Sequence, residues 1–209
     1  MKIVGLTGSI ASGKSTVAQW IRNYGIPVYD ADAIVHGLLE PNGEAVEKVL
    51  TIFGSAFGDL NTGINRKTLG NFIFKSAESR RKLEDILHPL VQNKRDLFLE
   101  KCESDGFRFV VLDVPLLFET GGDINCDYVI VVYAKLETMR KRAMLRPGMT
   151  HEKFNSILNS QMSITDKMLR ADLILDSDMK IFETKQKLFD WLEKNALSKL
   201  TNNRFSEEI

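Results

Sequence analysis

Nine residues, Gly8-Ser9-Ile10-Ala11-Ser12-Gly13-Lys14-Ser15-Thr16, restrict what this chain can become more than any other stretch does. An apolar run, Ile3-Val4-Gly5-Leu6, precedes them, and Val17, Trp20, Ile21 and Tyr24 follow at the spacing of one helix face. The order is strand, loop, helix. The Gly-x-x-x-x-Gly-Lys-Ser spacing lets backbone N–H groups wrap the phosphates of a nucleotide, aims a helix N-terminus at their charge and supplies Lys14 as a mobile cation. The expected nucleotide-binding residues are therefore Ala11, Ser12, Gly13, Lys14, Ser15 and Thr16, with the Ser15 hydroxyl on Mg²⁺. A lysine in the first turn of a helix opposes the helix dipole unless an anion is present, which favours a bound phosphate over a bare turn.

Bulk properties narrow the class. The chain has 209 residues, 44% of them hydrophobic, enough for one large core with insertions. Lys+Arg and Asp+Glu are both 28, so long-range attraction to nucleic acid or an anionic membrane is not a global property. Cys102 and Cys126 have no metal-ligand spacing and read as free thiols in a reducing compartment. The strand and loop occupy the N-terminus, leaving no room for a signal peptide, and no apolar run approaches spanning length. A cytoplasmic protein that binds neither membrane nor nucleic acid is expected, as a monomer with at most weak self-association.

Beyond the first helix, closed by Gly25, Ile26 to Tyr29 predicts a second strand ending in Asp30-Ala31-Asp32. Strand alternation would put both aspartates on one side at the sheet edge where ligands bind. Asp32 then precedes a helical run, Ala33 to Leu39, so it is either the N-cap of that helix or a base that accepts a hydroxyl proton. From Glu44 to about Gly106 the apolar positions recur at helical spacing, with no strand pattern, and Pro89 should kink or split the longest helix beside His88. His88 by itself reads as a structural hydrogen-bonder or a functional group. Asn93-Lys94-Arg95-Asp96 spells a guanine-recognition signature, but it sits in a helical pattern, and no aspartate has glycine three residues on. A GTPase switch is excluded.

Phe109 to Asp113 and Tyr128 to Tyr133 read as buried parallel strands, and Ala171 to Asp176 as the last one. Pro115-Leu116-Leu117-Phe118 is an apolar loop that either lines a pocket or packs beneath the insertion. Four cations fall between Arg140 and Arg146, of which Arg142 and Arg146 are four apart and would share a helix face ended by Pro147-Gly148. They form either a solvated basic face or a mobile lid that neutralises a transferring phosphoryl group. Further helices are expected over Thr150 to Met162 and Phe182 to Leu192, with a frayed polar tail from Ser198.

From Ile3 to Asp176 the chain resembles the dephospho-CoA kinase family. The resemblance rests on Gly5-Leu6-Thr7-Gly8 running into the loop, Asp30-Ala31-Asp32, Gly63-Ile64-Asn65-Arg66, Leu87-His88-Pro89, Val114-Pro115-Leu116-Leu117-Phe118-Glu119, Arg142 with Arg146, Gln161, and Ala171-Asp172. It implies an α/β P-loop fold of three layers: a parallel sheet of about five strands built from 1–43, 107–138 and 163–209, a helical acceptor-binding insertion at 44–106 and a short helical lid at 139–162. It also implies ATP-dependent, Mg²⁺-assisted phosphorylation of the ribose 3′-hydroxyl of dephospho-CoA. Lys14, Asp32, Arg142 and Arg146 would be catalytic, Asp32 as general base, with Asp32, His88 and Leu116 contacting the acceptor. Ser9 and Ala11 stand where the family usually has glycine, Pro147 replaces a usual lid aspartate, and Ser177-Asp178-Met179 replaces a usual Asn-x-Gly. The other reading is a different P-loop nucleotide or small-molecule kinase; a nucleotide-binding regulatory module is the non-enzymatic one.

Overall fold

Alternation along the apolar strands sorts the core of this protein into two faces. The computed structural model describes residues 1–74 and 76–197, and the tail expected to fray from Ser198 lies outside the described residues. Strand β1 (Lys2–Gly8) leads through the glycine-rich loop into helix α1 (Lys14–Asn23), and β2 (Val28–Asp30) follows. After the intervening segment come β5 (Phe109–Asp113), β6 (Tyr128–Tyr133), α6 (Leu136–Met144), α7 (His151–Asn159), α8 (Ile164–Leu169), β7 (Leu173–Asp176) and α9 (Ile181–Leu192). The five long strands form one sheet in the order β2-β5-β1-β6-β7, and β1 pairs in parallel with both β5 and β6. The first strand of the chain is thus the central one, flanked on both sides.

One face of the sheet, with Val4, Leu6, Val111, Ile130, Val132 and Leu175, packs on Val17, Ala18 and Ile21 of α1 and Leu188 and Leu192 of α9. On the other, Val129 and Val131 meet Leu117 and Phe118 and the apolar side of α8, Ile164 and Met168. Helices and loop therefore cover both faces, as an all-parallel sheet requires. A Cβ at Gly5 would stand 2.5 Å from Leu117 Cδ2, so a larger residue there would push that side chain aside.

The chain divides into two compact units, one of Met1–Tyr29 with the chain from Cys102 onward, the other Asp30–Lys101. The second unit opens with α2 (Ala31–Leu38) and α3 (Val46–Phe53), passes through β3 (Gly58–Asp59) and β4 (Gly63–Ile64), and continues as α4 (Arg66–Ile73) and α5 (Ala77–Ser104), which runs on past its end. It has a core of its own around Leu38, Val46, Val49, Phe57, Ile64, Leu69, Leu83 and Leu87. Its compact boundaries, 30–101, start earlier than the 44–106 expected for the insertion.

Three local expectations are corrected. The segment is not wholly helical, because Gly58 and Gly63, both at positive φ, allow a two-residue antiparallel pair too short to show a period of two. Pro89 does not split α5, which runs unbroken over 28 residues. The second strand ends at Asp30 and α2 begins at Ala31, so strand alternation does not govern Asp32.

Candidate active site

The donor side of the site forms where β1 ends. Gly8 lies so close to β6 that a Cβ would stand 2.6 Å from the Val132 carbonyl oxygen and 2.7 Å from Ser12 Oγ. Gly13, at φ 102, turns the loop into α1 with no side-chain capping bond, and the first turn of the helix holds no acidic residue. Thr16 N–H donates to the Gly13 carbonyl at 3.0 Å, and the N–H groups ahead of it, which have no intrahelical acceptor, leave this end of the helix open to an anion. Ala11 adopts φ 58, a left-handed conformation usually left to glycine.

Lys14 is ion-paired with Asp113, the last residue of β5, and the two side chains are 15% and 3% exposed. β1 and β5 pair in register with Leu6 beside Asp113, which brings the acid at the end of one strand to the loop that follows the other. The sequence placed Asp113 at the end of a buried strand; in the structure it holds the lysine. Ser15 is exposed at the first turn of α1. The Ser9 and Ser12 hydroxyls are buried in the loop with no hydrogen-bond partner.

The segment from α6 to α7 meets this loop from the β7 side. Arg142 donates from Nη1 to Ser177 Oγ at 2.7 Å and from Nη2 to the Ser177 carbonyl at 2.9 Å, with a longer 3.4 Å contact from Nη1 to the Ser12 carbonyl. Ser177 Oγ donates to that same carbonyl at 2.6 Å. Arg146 does not share a helix face with Arg142, because α6 stops at Met144; Arg146 lies in the exposed turn completed by Gly148 at φ 73. At the N-terminal root of this segment, Asp178 accepts the Lys135 N–H at 2.7 Å. Desolvation would raise the Asp178 carboxyl, but the Lys135 N–H, the Thr138 hydroxyl and the charges of Arg142 and Lys135 together hold it below the usual range. At the other root, Gln161 Oε1 accepts the Ile10 N–H at 3.0 Å.

Of the apolar loop after β5, Leu117 and Phe118 are core residues and Leu116 is exposed. In the second unit, Asp30 is the N-cap of α2, accepting the Ala33 N–H at 3.0 Å, and Asp32 stands exposed in the first turn. His88 is exposed on α5. The Asn93-Lys94-Arg95-Asp96 stretch also lies in α5, with Lys94 paired to Glu44.

Ser177, Lys167 and the role of Glu119 escaped the sequence reading. Ser177 stood out only as a departure from a family pattern. Lys167 left a clearer trace: it falls on the apolar side of a short helix, between Ile164 and Met168, where a lysine must either snorkel or find a buried partner.

A central strand feeding a glycine-rich loop, a lysine held by a strand-end carboxylate and an arginine-bearing helical segment over the loop together define a P-loop kinase. Comparison narrows the class. The CoaE dephospho-CoA kinase family model matches residues 2–183, and the chain belongs to that family. It is 40% identical over 195 residues to the dephospho-CoA kinase of Agrobacterium fabrum, covering 93% of this chain and 98% of that protein. Among solved structures, TT1252 from Thermus thermophilus superposes with a TM-score of 0.80 at 30% identity, covering 93% of this chain and 97% of that one. Dephospho-CoA kinase from Campylobacter jejuni gives 0.70 at 29%, covering 95% and 100%.

Proposed function

We propose that this protein transfers the γ-phosphoryl group of ATP to the 3′-hydroxyl of the ribose of dephospho-CoA, giving coenzyme A and ADP. The observation that carries the reading is the family match over residues 2–183, which takes in both the donor loop and the acceptor-side segments. The donor loop alone would serve any P-loop kinase.

Phosphoryl transfer asks a protein mainly for positioning and charge compensation. The loop N–H groups of Ala11 to Thr16 hold the phosphates against the open end of α1, and Lys14, already aimed by Asp113, neutralises the group in flight. Asp32 is the general base that takes the ribose proton; because Asp30 caps α2, its carboxylate is not needed for the cap. Residues 44–106 form the acceptor-binding insertion, where His88 contacts the acceptor, with Leu116 contributing from the loop after β5. Residues 139–162 form the lid: Arg142 braces the donor loop and Arg146, exposed in the turn, meets the transferring phosphoryl group.

Among the described residues no group of three or more His, Cys, Asp or Glu side chains could hold a metal. Mg²⁺ in kinases takes most of its ligands from water and phosphate oxygens, so the exposed Ser15 hydroxyl fits the one protein ligand assigned to it. Bound there, the ion would supply positive charge to neutralise what develops on the transferring phosphoryl group. The reading assigns a cytoplasmic monomer, to be checked by light scattering for its mass and by cell fractionation for its location. No helix among the described residues is long and apolar enough to cross a membrane.

A coupled ADP assay with ATP and Mg²⁺ tests the proposal. Turnover with dephospho-CoA and none with nucleoside monophosphates is expected; comparable turnover with a monophosphate would favour the other P-loop kinase reading.

A further inference from the structure

A fully buried lysine joins the loop after β5 to the lid root, and neither phosphate binding nor proton transfer uses it. Lys167, on α8, has 0% exposure. Its ammonium is 2.9 Å from Glu119 Oε1 and donates to the Pro115 carbonyl at 3.3 Å. Thr7 Oγ1, one residue before Gly8, donates to the same carbonyl at 3.0 Å. Glu119 Oε1 also accepts the Met162 N–H at 2.8 Å, and Gln161, the residue before Met162, accepts the Ile10 N–H. The contacts close into a ring: end of β1, Pro115, Lys167, Glu119, Met162 with Gln161, donor loop, and back to β1.

Such a ring is a weak source of stability. Taking an ammonium and a carboxylate out of water costs several kcal/mol each, and apolar replacements of a buried pair are often neutral or stabilising. Glu119 Oε2 is buried with no hydrogen-bond partner, which adds to the cost. What directional polar bonds supply and apolar packing does not is a fixed register between backbone segments. Here the segments are the donor loop, the loop that carries Leu116, and the C-terminal root of the lid.

We propose that Glu119 and Lys167 are positioning residues for phosphoryl transfer, holding the 115–119 loop and the Gln161–Met162 lid root in register with the donor loop. The proposal rests on the kinase reading above and deepens it. Losing the ring should misplace the reacting groups by a fraction of an ångström without emptying the binding sites. Such errors appear in kcat more than in KM.

The test uses Lys167→Met, Glu119→Gln and the double variant in the full chain, assayed well below their melting temperatures. Each single variant should melt earlier and lose about tenfold or more in kcat, with both KM values within about threefold. The double variant removes both buried charges and should recover most of the melting temperature but not kcat, since a methionine side chain cannot donate to the Pro115 carbonyl. Recovery of both together, or singles with kcat within about twofold of wild type, would overturn the proposal. Gln161→Ala leaves the buried pair intact and serves if the others fail to fold; it too should lose kcat, and an unchanged kcat would count against the ring. Amide exchange over residues 8–14 should quicken in every variant that folds, whatever the acceptor. That readout separates the two claims: wild-type protein inactive on dephospho-CoA would sink the substrate reading, while unchanged exchange would sink the ring.

Discussion

Arg142 clasps Ser177 twice, donating to its hydroxyl at 2.7 Å and to its carbonyl at 2.9 Å, while the Ser177 hydroxyl donates to the Ser12 carbonyl at 2.6 Å. Helix α6 is thereby tied to the loop after β7 and, through it, to the glycine-rich loop. An arginine that the sequence left between a solvated basic face and a lid over the transferring phosphoryl group is, in the structure, a brace of the donor loop. Ser177→Ala removes the hydroxyl bonds and leaves the guanidinium contact to the Ser177 carbonyl. It should raise the KM for ATP about fivefold, about 1 kcal/mol for the two hydroxyl bonds together, with kcat near wild type in steady-state kinetics. Arg142→Ala loses both duties and should slow the chemical step about 10²-fold or more in single-turnover experiments. An effect of Arg142→Ala on ATP affinity alone would confine it to the brace.

Lys14 and Asp113 form a largely buried pair, so Lys14→Ala takes the opposite charge from a carboxylate that is 3% exposed. Breaking such a pair costs about 3 kcal/mol, or a melting point lower by about 6–12 °C in a chain of this size. Turnover should fall further, by about 10³-fold, and adding Asp113→Asn should restore the melting point without restoring turnover. Restoration of both by Asp113→Asn would reduce Lys14 to a structural partner.

The division of labour between Asp30 and Asp32 predicts opposite phenotypes. Asp30→Ala removes the N-cap of α2 and should cost about 1 kcal/mol in denaturant unfolding. Asp32→Asn should leave stability nearly unchanged, retain ATP binding and lose about 10² to 10⁴ in turnover. Near-normal turnover of Asp32→Asn would remove it from the chemistry.

Ala11 is held at φ 58 with its side chain 8% exposed among Ala134, Met139, Ala143 and Phe154. Ala11→Gly relieves about 1–2 kcal/mol of left-handed strain but gives up a buried methyl, about 0.8 kcal/mol, and adds unfolded-state entropy of about 0.4–1 kcal/mol. The contributions nearly cancel. Calorimetry should find Ala11→Gly within about 2 °C of wild type and Ala11→Val far less stable, since a β-branched residue is a genuine outlier there.

Asp178 gives a pH signature. Its carboxyl is held below the ordinary 3.8, so on acidification the unfolded state takes up the proton first. Its contribution is fully present above that value and fades as the pH drops through the lower folded value. Because Asp178 is exposed the effect is small; Asp178→Asn should flatten the acid limb of melting temperature against pH below about pH 4. An unchanged acid limb would show that the contact to Lys135 carries no net weight.

Much of the fold was legible because its signals are local. The apolar runs Phe109–Asp113 and Tyr128–Tyr133 coincide with β5 and β6, as buried parallel strands lack a polar face to blur their ends. The glycine spacing of residues 8–13 specified the loop because each glycine answers a local demand, a close approach at Gly8 and a positive φ at Gly13. Short or overridden elements were less legible. The β3–β4 pair has two residues per strand, and α5 outlasts Pro89 over a helix long enough to absorb one missing hydrogen bond. At Arg146 the spacing of four looked helical, yet α6 had already ended two residues earlier.

The sequence by itself determined that a nucleotide's phosphates are gripped, that a parallel α/β core does the gripping, and which acids and arginines could serve. Those follow from spacing along one chain. Only the tertiary structure decided which groups meet: that Asp113 takes Lys14, that Arg142 takes Ser177, and that Lys167 lies buried against Glu119. Each pair joins residues far apart in the chain, and the partners become neighbours only once the strand order β2-β5-β1-β6-β7 is set. Residue type and spacing do not encode that order; burial of both sheet faces selects it, and the polar side chains then take the partners it provides.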